Sequence, residues 1–162
     1  MLYIATKMQE LNFSQLMAVY EEGNRENGER LFSQFSTEEQ IFLVEQSVYQ
    51  YLKEYFFAQK GAVCAVWIAN ECYVSALRLE PYEDGLLLEA LETAPTQRRK
   101  GYAEKLLRAV VEQFPQKIYS HVSKKNTASL MVHQKCGFVQ VLDYAKYIDG
   151  SVARNAVTLC SR

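Results

Sequence analysis

Residues 88–107 read LEALETAPTQRRKGYAEKLL, and this stretch decides the fold class. Its first part belongs to an apolar run, residues 86–94, that predicts a strand buried on both faces of a sheet. Pro95 ends this strand, because proline cannot donate a hydrogen bond to a ladder. An amphipathic helix follows and ends at Pro115, and the run KIYSHV at 117–122 predicts the next strand. A strand, a helix and a strand in this order indicate a crossover connection, which makes the two strands parallel.

Antiparallel strands and further helices are predicted on either side of this unit. The apolar runs at 62–69 and 72–82 are joined by Asn70-Glu71, a two-residue turn that indicates a hairpin. Ser36 and Glu39 have the spacing of a capping box at the start of a long helix. The other predicted elements are a strand at 2–6, a helix from about Asn12 to Glu26 followed by a polar stretch around Gly23 and Gly28, a short helix at 126–136, and strands at 138–147 and 153–160. The order β-α-α-β-β-β-α-β-α-β-β predicts an α/β fold with a mixed sheet.

Length and composition indicate a single domain that spans residues 1–162. Apolar residues make up 49% and charged residues 23% of the chain, which excludes the disordered and fibrous classes. No run approaches the roughly 18 apolar residues of a membrane span, and the N-terminus lacks the apolar core of a signal peptide. The four cysteines form no CxxC pair and, with two histidines, make a poor zinc set. We therefore expect a cytoplasmic protein without a metal and without a membrane partner.

The two halves of the chain carry opposite charge, although the net charge is only −1. Residues 1–84 contain six basic and thirteen acidic residues, and residues 85–162 contain twelve basic and six acidic residues. The first half is suited to a cation and the second to a polyanion, while an uneven scatter of surface charge is the alternative. Nucleic acid is not an expected partner, because the chain as a whole is not basic and has no basic aromatic sheet motif.

The loop between the buried strand and the helix is a candidate anion site. Residues 98–103, RRKGYA, place three cations and a glycine at the start of the predicted helix. A helix N-terminus presents unpaired backbone N–H groups and the positive end of its dipole, and Gly101 lets an anion approach the backbone. The loop matches neither the GxxxxGK[ST] pattern of a Walker A loop nor the GxGxxG pattern of dinucleotide-binding proteins. A solvated basic helix start is the alternative.

The same stretch resembles the acetyl-CoA-binding motif of the GNAT superfamily of N-acetyltransferases. The family signature Gln/Arg-x-x-Gly-x-Gly/Ala is met by Arg98, Gly101 and Ala103. A second stretch, NTASLMVHQKCGF at 126–138, is similar to the family pattern Asn-x-x-(small)-x-x-Leu-Tyr-x-Lys-x-Gly-Phe. The matching residues of this second stretch are Asn126, Ser129, Lys135, Gly137 and Phe138.

The resemblance implies a GNAT-like fold: a mixed, mostly antiparallel central sheet with a splayed parallel pair, and helices on both faces. It also implies that acetyl-CoA lies between the splayed strands, with its pyrophosphate on the backbone N–H groups of residues 99–103. The residues expected at acetyl-CoA are Leu91, Thr93, Arg98, Arg99, Lys100, Gly101, Tyr102, Ala103, Asn126 and Lys135. Helix capping is a second role open to Asn126, and a solvated helix face is the alternative for Lys135.

His133 occupies the position at which the family usually has a tyrosine, the general acid toward the departing thiolate. An imidazolium can donate a proton, and a neutral imidazole can donate a hydrogen bond. The ordinary pKa of histidine, about 6.5, is well below the ~10 of a phenol, so the substitution changes the chemistry available. A histidine on the helix surface that takes no part in the reaction is the alternative.

Glu89 and Glu92 are the candidate general bases, because both interrupt the most apolar predicted strand. A carboxylate on a buried strand needs a partner or a chemical role. The two residues are three apart, so a regular strand directs them to opposite faces and only one can face the acceptor. The resemblance slightly favours Glu89, and a salt bridge or a hydrated strand end is the alternative for either.

We therefore interpret the chain as an N-acetyltransferase that transfers an acetyl group from acetyl-CoA to a primary amine by direct attack in a ternary complex. A non-catalytic acyl-CoA-binding sensor or scaffold of the same fold is the alternative. The acceptor is expected to be a small molecule or a peptide, and both a monomer and a homodimer stay open. The acidic residues of the N-terminal helices favour a cationic acceptor; they are Glu21, Glu22, Glu26, Glu29, Glu38 and Glu39.

Overall fold

A central seven-stranded sheet organises the protein in a computed structural model, which describes residues 1–161. The strands are β1 (Leu2–Ala5), β2 (Val63–Ala69), β3 (Cys72–Tyr82), β4 (Gly85–Thr93), β5 (Lys117–Ser123), β6 (Val139–Leu142), β7 (Ala145–Lys146), β8 (Val152–Ala153) and β9 (Ala156–Cys160). The helices are α1 (Phe13–Val19), α2 (Glu21–Leu31), α3 (Thr37–Tyr51), α4 (Tyr102–Gln113) and α5 (Thr127–Lys135). Two 3₁₀ turns, Met8–Glu10 and Pro95–Gln97, and a π-helical turn, Leu52–Phe56, complete the regular structure.

The strand order in the sheet is β1-β2-β3-β4-β5-β9-β6, while β7 and β8 pair separately. The pairing of β4 with β5 is parallel, and the other pairings in the described chain are antiparallel. The predicted mixed sheet with one parallel pair is confirmed. Helix α4 provides the crossover between the two parallel strands, as the sequence between Pro95 and Pro115 indicates.

Helices cover both faces of the sheet, as predicted, and each face has its own apolar core. On one face, α4 packs Leu106, Leu107 and Val110 against β-strand residues such as Leu77 and Leu79. On the other face, α1 and the π-helical turn pack against β2 and β3. The buried residues that the helical elements contribute to this second core are Leu16, Met17, Val19, Leu52 and Phe56. No helix within residues 1–161 is both long enough and apolar enough to cross a membrane.

The predicted helix from Asn12 to Glu26 is wrong in its extent, because the chain divides there into α1 and α2. The break falls at Tyr20, whose hydroxyl donates a hydrogen bond of 2.9 Å to the carbonyl oxygen of Ala90 in β4. The expected polar stretch around Gly23 and Gly28 is helical instead. These glycines allow close packing, since a Cβ atom on Gly23 would lie 2.9 Å from Glu92 Oε1 and one on Gly28 would lie 3.1 Å from Gln40 Cβ.

The single strand predicted at 138–147 is also divided. Its first part is β6, which pairs with β9, and its second part is β7, which pairs with β8. Between them, the carbonyl oxygen of Tyr144 accepts a hydrogen bond of 2.7 Å from Thr158 Oγ1. This bond fixes the chain where it leaves the edge of the main sheet.

Candidate active site

The two parallel strands separate halfway along their length and open a cleft. Their ladder runs only from Gly85 opposite Lys117 to Leu88 opposite Ser120. Beyond Leu88 the backbone of β4 has no ladder partner on β5, so its polar groups on that side are available to a ligand. The cleft has a volume of about 750 Å³ and is lined by α2 on one side and α5 on the other. Among the predicted site residues, those that line it are Glu89, Leu91, Glu92, Thr93, Arg98, Ala103, Asn126 and His133.

A β-bulge at Ala90 determines which side chains of β4 reach the cleft. Ala90 has a positive φ of 51°, and the register places Glu89 opposite Arg78 and Glu92 opposite Ala76. The two glutamates are three residues apart on β4, whereas the residues opposite them, Arg78 and Ala76, are two residues apart on β3. Because Arg78 and Ala76 share a face of the sheet, Glu89 and Glu92 also share that face. The expectation that they face opposite sides is wrong, because it assumed a regular strand.

The carboxyl group of Glu89 lies beside that of Glu80, a buried residue of β3. Glu80 also accepts a hydrogen bond of 2.7 Å from Gln59 Nε2. Burial, followed by this contact with Glu80, raises the pKa of Glu89 to about 7, while the nearby Arg78 acts in the opposite direction. A carboxyl group with a pKa near neutrality can both accept and release a proton at physiological pH.

Glu92 lies against α2, with one carboxylate oxygen 2.9 Å from the position that a Cβ atom on Gly23 would take. Burial raises its pKa, Arg98 lowers it, and the carboxylates of Glu22 and Glu26 raise it further. Glu22, Gly23 and Glu26 all line the cleft. Glu22 and Glu26 were predicted to favour a cationic acceptor, whereas the approach of Gly23 to Glu92 joins distant parts of the chain and has no sequence signal.

The loop before α4 leaves the N-terminus of that helix open. Gly101 has a left-handed φ of 76°, and a Cβ atom there would meet no atom within 4 Å. The first helical hydrogen bond is donated by Lys105 to the carbonyl oxygen of Gly101, so the N–H groups of residues 102–104 have no partner within the helix. Ala103 of this first turn faces the cleft. This arrangement suits a phosphate group.

The three cations before Gly101 differ in their surroundings. Arg98 forms an ion pair with Glu22 of α2, and its Nε atom donates a hydrogen bond of 3.4 Å to the carbonyl oxygen of Thr93. Lys100 bonds to Gln97, at 2.9 Å, and Arg99 is exposed. Neither Arg99 nor Lys100 lines the cleft, and Gly101 and Tyr102 do not line it either.

The second sequence stretch places Asn126 at the cleft and Lys135 away from it. Asn126 caps α5, because its Oδ1 accepts a hydrogen bond of 3.1 Å from the backbone N–H of Ser129. The capping role left open by the sequence is therefore present, in a side chain that also lines the cleft. Lys135 is exposed at the far end of α5 and does not line the cleft.

His133 is buried in α5, with 1% of its surface exposed, so the surface alternative is wrong. Its Nδ1 atom lies 2.8 Å from the carbonyl oxygen of Ser129, and its ring packs edge-on against Phe138. The Nε2 atom is buried and has no partner among the described residues. Burial lowers the pKa of the imidazole, while the bond to Ser129 opposes this. A carbonyl oxygen can only accept, so the proton of the neutral ring lies on Nδ1 and Nε2 carries a lone pair.

Further side chains reach the cleft from the C-terminal part of the sheet. His121 and Tyr147 line it and contact each other edge-on, with ring centroids 5.2 Å apart. Neither belongs to a motif, so the sequence gave only their residue types as a signal. Within residues 1–161, no three His, Cys, Asp or Glu side chains lie close enough together to hold a metal ion.

Comparison with known proteins now assigns the family. The model of the Acetyltransferase (GNAT) family matches residues 26–138, well over half of the chain. The protein therefore belongs to the GNAT acetyltransferase family, and its mixed sheet with one parallel pair is the GNAT fold. No curated protein sequence matches the chain.

Solved structures with the same fold have little sequence in common with this chain. The PaiA N-acetyltransferase from Thermoplasma acidophilum, in complex with coenzyme A, is 14% identical over 100% of this chain and 99% of its own, with a TM-score of 0.62. The IAA acetyltransferase from Bacillus cereus is 17% identical over 99% of both chains, with a TM-score of 0.60. An acetyltransferase from Bacillus subtilis, also in complex with CoA, is 18% identical over 72% of this chain and 82% of its own, with a TM-score of 0.53.

Proposed function

We propose that the protein transfers an acetyl group from acetyl-CoA to a primary amine, by direct attack within a ternary complex in the cleft between β4 and β5. The observation that carries this proposal is the separation of these strands beyond Leu88, next to the open N-terminus of α4. Membership of the acetyltransferase family and the coenzyme A bound in two structural neighbours support it.

In this proposal, acetyl-CoA binds along β4 with its pyrophosphate at the first turn of α4. The unpaired N–H groups beside Gly101 receive the phosphate oxygens, and the backbone near Leu91 and Thr93 receives the pantetheine amides. Asn126 contacts the same arm while it caps α5. Arg98 holds α2 against the loop through its ion pair with Glu22, rather than serving as a free cation for phosphate. We do not assign Lys135 a contact, because it lies outside the cleft.

The proposed reaction begins when the acceptor ammonium group gives a proton to Glu89, directly or through water. The amine nitrogen then attacks the thioester carbonyl carbon and forms the C–N bond. Backbone N–H groups of β4 that have no ladder partner stabilise the negative charge that develops on the carbonyl oxygen. The C–S bond breaks, its electron pair leaves on the sulfur, and a proton from the acylated nitrogen converts the thiolate into the thiol of CoA.

The acid role predicted for His133 stays a prediction, and the geometry weighs against it. Proton donation from Nε2 needs an imidazolium, whereas burial favours the neutral ring with its proton on Nδ1. We propose instead that His133 shapes the wall of the cleft and that the thiolate leaves without its help. Glu92 is the second candidate base, since it also lines the cleft on the face of Glu89.

The test is release of thiol from acetyl-CoA in the presence of amines, with the mass of the product measured in parallel. Amino acids, polyamines, aminoglycosides and peptides with a free N-terminus form the panel. The proposal predicts one acetylated amine for each thiol released. Saturable binding of acetyl-CoA without thiol release from any amine would favour the non-catalytic acyl-CoA sensor and contradict the proposal.

A further inference from the structure

Arg78 lies in the middle of β3, on the face of the sheet that also carries Ala76 and Glu80. Its guanidinium group stacks over two aromatic rings, 5.4 Å from the ring centre of Tyr51 and 5.7 Å from that of Phe56. Tyr51 ends α3, and Phe56 ends the π-helical turn that follows it. Helical turns of this kind occur often at functional sites, and here the turn brings both rings to the same cation.

Within residues 1–161, the donors of the Arg78 guanidinium group have no hydrogen-bond partner. Its Nε atom is buried without a hydrogen bond, and Arg78 takes part in none of the ion pairs within residues 1–161. A guanidinium group is always charged in proteins, and a partly buried charge without a partner is unfavourable. The planar arrangement of its donors suits a carboxylate, which accepts two parallel hydrogen bonds.

Three carboxyl groups lie on the same side of the sheet, but each is engaged elsewhere. Glu80 accepts a hydrogen bond from Gln59, and Glu89 lies beside Glu80. Glu92 is directed toward Gly23 of α2. The charge of Arg78 lowers the pKa of Glu89 and of Glu92, but Arg78 forms no ion pair with either among the described residues, so its donors stay available to a ligand.

A second cavity, of about 330 Å³, lies beside Arg78 between the sheet and helices α2 and α3. Its size is at the lower end of those that hold small molecules. Apolar side chains form much of its wall; they are Tyr20, Leu31, Phe32, Val44, Val48 and Tyr51. The second cavity meets the main cleft at Gly23, Ala90 and Glu92, which line both.

We propose that the acceptor is a small amino carboxylic acid with an apolar or aromatic side chain, held by its carboxylate on Arg78. This inference rests on the proposed function, because it uses the main cleft as the site of acyl transfer. The apolar wall of the second cavity receives the side chain of the acceptor. The amine then lies where the two cavities meet, beside the bulge at Ala90.

This arrangement also modifies the expectation of a cationic acceptor. Glu22 is paired with Arg98, Glu21 is paired with Arg25, and Glu39 closes the capping box of α3. Much of the acidic charge on the N-terminal helices is therefore engaged within the protein. The carboxyl group of Glu92 at the junction of the cavities suits one ammonium group, whereas Arg78 repels the further charges of a polycation.

The first test needs only the unaltered protein and matched pairs of acceptors. Phenylalanine is compared with phenethylamine, and leucine with isoamylamine, because each pair differs by the carboxylate alone. We expect kcat/KM to be about 10²-fold higher for each amino acid, since a site built for a charged group rejects the analogue that lacks it. Equal values, or a preference for spermidine, would overturn this inference and leave acetyl transfer intact. Absence of thiol release with every acceptor would overturn the proposed function itself.

The second test assigns the preference to Arg78. In Arg78→Met we expect the preference for the amino acid over its decarboxylated partner to fall to less than threefold, and in Arg78→Lys to fall partly, because a lysine cannot form two parallel bonds. The ratio of the two kcat/KM values cancels any effect on the proton transfers, which both acceptors share. Arg25→Met, an exposed arginine of α2 whose partner is Glu21, is the matched control and should keep the full preference. A preference unchanged in Arg78→Met would overturn the inference, as would an equal loss of activity toward both acceptors.

Discussion

Glu89 brings together the features that a general base in this cleft requires. It lines the cleft, it follows the last residue of β4 that is paired with β5, and its contact with Glu80 gives its proton a second acceptor. Burial and Glu80 raise its pKa to about 7. The group is therefore deprotonated above neutrality, where it can accept the proton of an ammonium group.

Glu89→Gln should lower kcat by about 10²-fold or more, because an amide cannot accept this proton. In the unaltered protein, activity should rise with pH through about 7, since only the deprotonated carboxylate acts as a base. Glu89→Gln should lose the rise in activity near pH 7. It should keep the rise at higher pH that comes from deprotonation of the acceptor amine. A pH–rate profile at saturating acetyl-CoA measures the loss of kcat and the change in pH dependence. The same profile for Glu92→Gln is the comparison. Loss of the rise near 7 in Glu92→Gln, but not in Glu89→Gln, would assign the base to Glu92.

His133 gives a second prediction at the scale of a single residue. The amide of His133→Asn can donate to the carbonyl oxygen of Ser129 in place of Nδ1, but it has no group at the position of Nε2. We expect kcat to stay within a few-fold of the unaltered value between pH 6 and 9, because the neutral ring has no proton on Nε2 to donate. General acid catalysis contributes about 10²–10⁴-fold. A loss of that size in His133→Asn, without weaker acetyl-CoA binding, would establish the acid role and contradict our interpretation.

At the scale of elements, α2 lines the cleft in which we propose that the acceptor binds, and Gly23 is where α2 meets β4. Gly23→Ala should displace the carboxylate of Glu92, because the new Cβ atom would lie 2.9 Å from Glu92 Oε1. We expect kcat/KM for the acceptor to fall about tenfold through this misplacement, with acetyl-CoA affinity unchanged. The free energy of unfolding should change little, since alanine is a better helix former than glycine and offsets the displacement.

Steady-state kinetics and isothermal titration calorimetry measure these effects. Gly28→Ala is the control on the same helix, because Gly28 contacts Gln40 and lines neither cavity. The role assigned to α2 would be wrong if Gly28→Ala changed acceptor kinetics as much as Gly23→Ala did.

The sequence predicted those elements whose signals are local. The hairpin turn at Asn70-Glu71 is confirmed, with positive φ angles of 49° and 62°, and so is the capping box of Ser36 and Glu39. Residues 27–31 of α2 lay outside the predicted helix, because glycines that serve close packing cannot be distinguished in the sequence from glycines that break a helix. The sequence did not predict that Glu89 and Glu92 lie on the same face of the sheet. A one-residue bulge cannot be recognised in the alternation of apolar residues along the strand.

At the scale of the whole molecule, the sheet brings together residues that are distant in the sequence. The strands β4 and β5 open between the first turn of α4 and the capped start of α5, and α2 covers the opposite side. The motif residues could be predicted because they lie in two short stretches. Arg78 could not be singled out, because its isolation from carboxylates depends on where Glu80, Glu89 and Glu92 are directed in the folded chain.

The central claim is that this cleft binds acetyl-CoA with its pyrophosphate beside Gly101, and the dissociation constant of acetyl-CoA for Gly101→Glu tests it most directly. Calorimetry should show about tenfold or greater weakening, since a carboxylate beside the phosphates opposes the favourable field of the helix N-terminus. Gly150→Glu is the matched control, because Gly150 also has a positive φ, 84°, and also faces open space, but lies in the turn between β7 and β8 rather than at the N-terminus of α4. We expect Gly150→Glu to bind acetyl-CoA like the unaltered protein. Unchanged affinity in folded Gly101→Glu would contradict the account.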